Sequence, residues 1–60
     1  MTEELREILE SKIKEEYSDH ESYEKLAEKM ENRSDRAILR CIAKEEKSHA
    51  HWLKKILHRM

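Results

Sequence analysis

Glycine, proline and phenylalanine are all absent from this sequence. Proline would interrupt a helix by removing an N–H and crowding the preceding turn, and glycine would loosen one. A chain without either holds nothing that breaks a helix, and the Glu, Lys, Arg, Leu and Ala that dominate it favour one. Cysteine occurs once, as Cys41, which excludes an internal disulfide and any cysteine-built zinc or rubredoxin-like cluster. No apolar run approaches the ~20 residues that span a bilayer, and no signal-peptide core is present. Charge of one sign does not dominate either: 13 Lys and Arg face 14 Asp and Glu, for a net charge of −1. The basic excess that marks a nucleic-acid binder is therefore missing. Disordered chains combine few apolar residues with a large net charge, whereas 37% of this chain is hydrophobic. The absences leave an all-α chain with no expected nucleic-acid or membrane partner, and the cytoplasm as the default location.

What is present is charge, at 45% of residues, arranged around two apolar stripes. Thr2 is a usable N-cap, and Glu3 and Glu4 complement the positive end of the helix that follows. Helix one is expected over about 3–31. Asn32 tolerates a left-handed helix end, and Ser34 is a good cap for the next helix, so the turn falls at about 32–34. Helix two follows over about 35–58, with Lys54, Lys55 and His58 at its negative end. Two long helices and a short turn make a single antiparallel hairpin. A 60-residue chain is marginal as a monomer, and a hairpin buries its stripe on one partner only. A homodimer or higher oligomer is expected, closing two hairpins into a four-helix bundle.

Read in steps of three and four, helix one presents Leu9, Ile13, Glu16, His20, Tyr23, Ala27 and Met30 on one face. Helix two presents Leu39, Ile42, Glu46, His49, Leu53, Ile56 and Met60. Both stripes are apolar at their ends and ionisable in the middle. Carboxylates on a buried seam are costly unless paired or bound to metal. Folding the hairpin about Arg33 brings residues whose numbers sum to about 66 to one height. Glu16 then lies level with His49 or Ala50, His20 with Glu46, and Tyr23 with Ala43. Glu16 and Glu46 are ~6 Å apart along the axis. Glu46 and His49 form a Glu-x-x-His, whose two side chains leave the same helix face. Carboxylate plus imidazole suits iron, manganese or zinc. Two hairpins would supply two copies of Glu16, Glu46 and His49, the ligand set of di-iron carboxylate bundles.

Through Glu16, Tyr23, Glu46 and His49, with the stretches Tyr23–Ala27 and Ile42–His49, the sequence resembles the ferritin-like superfamily. The likeness is to half-length members such as encapsulated ferritin and to the helix pairs of rubrerythrin. It implies a ferroxidase-type di-iron protein, binding and oxidising ferrous iron between two protomers in iron storage or detoxification. Two irons per dimer are implied. Glu16 and His49 would be terminal ligands, Glu46 a bridging ligand, and Tyr23 a group beside the metals. An encapsulin-like shell or a fused iron-handling domain are the further partners it implies, although the chain ends at Leu57–Met60 without a recognisable targeting tail. His20 departs from the pattern. It has three readings: a group orienting a carboxylate, an extra ligand, or a buried histidine satisfied by Glu46. Trp52 is expected at a helix or oligomer contact, and Cys41 in packing. Two other readings compete. One is a helical dimerisation module whose polar seam only sets register. The other is a piece of a longer rubrerythrin-like or iron-transporter protein, against which the initial Met argues mildly.

Overall fold

A computed structural model describes residues 2–60. The described residues form two helices and no strand: α1 over Glu3–Lys29 and α2 over Arg33–His58. Thr2 caps α1 as the sequence suggests, in an extended conformation with its Oγ1 accepting the Leu5 N–H at 3.2 Å. The turn differs from expectation. The first helix stops at Lys29, and Met30 is extended, with φ −78° and ψ 130°. Asn32 is extended rather than left-handed and caps α2, its Oδ1 accepting the Asp35 N–H at 3.0 Å. Asn caps about as well as Ser, so Asn32 starts the helix in place of the expected Ser34, which is drawn inside it. The connection is therefore Met30–Asn32, and no residue adopts a positive φ among those described.

The helices pack antiparallel into a rod of 46 × 14 × 9 Å. Their seam is narrow. Among the described residues only Ile13, Ala27, Ala43 and Ala50 are buried, and none of the large side chains is fully enclosed. The stripe on α1 lies in the seam from Leu9 to Met30, as its spacing predicts. That on α2 is turned. Ala43 and Ala50, with Leu39, Glu46, Leu53 and Leu57 half-buried, face α1, while His49 and Ile56 are exposed. Alanines at the point of contact let the two backbones approach closely, and the larger residues beside them swing to the flank. Leu5, Ile8 and Leu26 of α1 and Ile38 and Ile56 of α2 remain exposed. On each helix these positions lie about a quarter turn from the seam. Glu16 and His49 meet on this same flank. Cys41 is exposed rather than packed. Trp52 is 61% exposed and off the helix–helix contact.

Candidate metal centre

Half-way along the rod, three of the residues singled out by spacing converge. Glu16 projects from α1, and Glu46 and His49 from successive turns of one face of α2. Each offers a ligand atom, and those three atoms lie within 4.8 Å of one another. The His49 Nδ1 is 3.3 Å from a Glu16 carboxylate oxygen and 3.9 Å from one of Glu46. The Glu16 and Glu46 side chains are 24% and 19% exposed, and that of His49 is 54% exposed. The carboxylates thus sit at the edge of the seam, and the imidazole stands on the open flank.

The electrostatics are unbalanced. A hydrogen bond shared with Glu16 holds the Glu46 carboxyl above its ordinary range. Desolvation and the negative charges of Glu16 and Asp19 push the same way, and His49 opposes them. Two carboxylates pressed together favour a shared proton unless positive charge arrives. A divalent cation would supply that charge, and an oxygen and nitrogen donor set accommodates iron, manganese or zinc. The residues present therefore fit a metal of this class. Asp19, on the exposed surface, adds to the field at Glu46.

His20 stands apart from this group. Its Nδ1 lies 2.7 Å from the Ala43 carbonyl oxygen. A carbonyl only accepts, so Nδ1 carries the proton and donates it. The partner is backbone rather than the Glu46 carboxylate of one of its three readings. Counting from residue to residue overlooks that each helical carbonyl points toward the following turn. Tyr23 is half-buried in a shallow groove with Asp19, Ser22 and Leu26, and joins no hydrogen bond among the described residues. Sequence spacing also gave no sign of Lys54 Nζ over the Tyr17 ring, 4.7 Å from its centroid. That contact ties the helices together on the opposite flank.

The model of the rubrerythrin family matches residues 7–60. This chain belongs to the rubrerythrin family. No curated protein and no solved structure matches it. Iron binding is typical of rubrerythrin-family proteins, and Glu16, Glu46 and His49 all fall inside the matched span. No helix among the described residues is long and apolar enough to cross a membrane.

Proposed function

We propose that this rubrerythrin-family chain binds ferrous iron between two copies of itself and oxidises it, in the manner of a ferroxidase. The observation that carries this reading is the convergence of Glu16, Glu46 and His49 on a flank whose ends are apolar and exposed. Pairing two hairpins flank to flank covers Leu5, Ile8, Leu26, Ile38 and Ile56 and brings two such groups together. Four carboxylates and two imidazoles would then surround two metal positions, twice the three ligands of one chain. Glu16, His49 and Glu46 would hold the metals, Glu16 and His49 as terminal ligands and Glu46 as a carboxylate shared between them. Tyr23, on the same flank of α1, stands beside the metals and offers a hydroxyl to a carboxylate. Iron is the substrate here, each ferrous ion giving one electron to dioxygen or peroxide. The carboxylates compensate the charge that ferric iron adds, and pairing excludes water from the layer. Manganese or zinc suits the same donors. A 60-residue chain cannot enclose a mineral by itself, so storage would require a large assembly or a partner shell.

A second reading has its own observation. The exposed apolar flank alone would make the chain a dimerisation module, with the polar layer fixing register. Native mass spectrometry after anaerobic ferrous loading separates the two. Two irons per pair of chains, lost in Glu46→Ala, supports the ferroxidase. Paired chains without metal would leave the module.

A further inference from the structure

We propose that His20 is a positioning residue for the metal layer, holding α2 at the height where Glu46 and His49 meet Glu16. The inference rests on the metal reading above and extends it to a residue outside the ligand group. Its basis is the 2.7 Å bond from His20 Nδ1 to the Ala43 carbonyl. Within α2 that carbonyl belongs to the ladder of i to i+4 bonds, so His20 uses its second lone pair. It can do so because Ala43 is fully buried and has no side chain long enough to shield its own backbone.

The geometry explains why such a pin is needed. The seam holds alanine at 27, 43 and 50, and encloses no large side chain completely. Small residues allow close approach but interlock little, so they leave sliding of one helix along the other weakly opposed. The His20 bond lies one turn from Glu16 along α1 and three residues from Glu46 along α2. It links the two helices beside the candidate ligands. Polar groups on helical seams are well suited to fixing register. By holding the ligands together beforehand, His20 removes part of the ordering that metal binding would otherwise have to supply.

Cobalt(II) titration of the full chain, followed by visible absorption, tests this with a probe that does not oxidise under the conditions used. His20→Leu removes the donor and keeps an apolar seam. It should weaken cobalt binding by about 10–100-fold, the range typical of supporting groups around metals. Thermal stability of the metal-free protein should stay near that of the parent, a split that loss of folding would not produce. His20→Asn places an amide donor where Nδ1 stood and should recover most of the affinity. Should His20→Leu not fold, His20→Gln carries the same comparison, since its longer amide misplaces the donor. Nitrogen-15 spectra of the metal-free parent should show the proton on Nδ1. Parent-like cobalt affinity in a folded His20→Leu would overturn the role of His20 and leave the metal site standing. A parent that takes up no cobalt would overturn the metal reading and the role of His20 with it.

Discussion

The two sides of α1 and α2, seam and open flank, use apolar residues in opposite ways. The most deeply buried positions of the seam are one isoleucine and three alanines, with Leu39, Leu53 and Leu57 half-buried beside them. The flank carries Leu5, Ile8, Leu26, Ile38 and Ile56, which are 37–57% exposed. The hairpin therefore closes mostly over small residues and leaves large ones partly open on the flank. Burial of apolar area contributes roughly 25 cal/mol per Å², so alanines contribute little, and covering the open part of the flank side chains would add to it. The difference teaches that the seam sets closeness and height, while the flank holds apolar surface that the hairpin leaves uncovered. The candidate metal ligands lie along the boundary between the two, with Glu16 and Glu46 toward the seam and His49 on the flank.

Placing charge on the flank is the strongest way to break this contrast. Ile8→Glu combined with Ile56→Glu should convert the assembly to monomers by sedimentation velocity. Helical circular dichroism at micromolar concentration should fall with it, because a lone 60-residue hairpin is marginal. A double variant that stays helical and keeps its mass would show that the flank is not a partner surface. The seam responds to size instead. Ala50→Leu overfills a position with no exposure, and urea denaturation should register a loss of about 1–3 kcal/mol. Trp52, 61% exposed and away from the helix contact, supplies the baseline. Trp52→Ala should shift stability by no more than about 0.5 kcal/mol, and a larger loss would mean that a second surface is covered in the assembly.

The sequence made the helices legible because nothing in it competes with them, and Thr2 marked the start of α1 by its hydroxyl alone. The convergence of the candidate ligands was legible for a different reason. Glu16, Glu46 and His49 are ionisable residues at positions where the period demands apolar ones, and the structure brings them within 4.8 Å. The turn was harder, because Asn32 and Ser34 are nearly equivalent caps two residues apart. That small shift moves the helix boundaries but leaves Glu16 opposite His49 as counted, whereas the partner of His20 is the Ala43 carbonyl. A backbone acceptor leaves no trace in a side-chain pattern. The rotation of α2 was hidden similarly. The stripe read on α2 passes over its alanines, yet Ala43 and Ala50 are where the helices touch. The proposed pairing of chains has only a deficit to argue from, in apolar side chains that the hairpin itself leaves partly uncovered.

The subtlest test of the boundary layer is its response to pH at fixed protein concentration with a chelator present. In the folded chain the Glu46 carboxyl lies above its ordinary value of 4.5, chiefly through the hydrogen bond with Glu16. A raised folded value means that the native state holds this proton more tightly than the unfolded chain does. The stabilisation is therefore complete below the ordinary carboxylate range, and it is lost as pH rises through the raised value. The metal-free parent should have a higher urea midpoint in mild acid than its other carboxylates alone would give. Glu46→Gln, which keeps a neutral hydrogen-bonding group, should flatten that dependence and be the more stable of the two at neutral pH. A divalent metal should reverse the sign. It competes with protons for the same oxygens, so the stabilisation it confers should grow as pH rises and its uptake should release protons into a weakly buffered solution. If Glu46→Gln kept the parent's pH slope without metal, the two carboxylates would not be sharing a proton. Repulsion in that layer would then not be what a cation relieves.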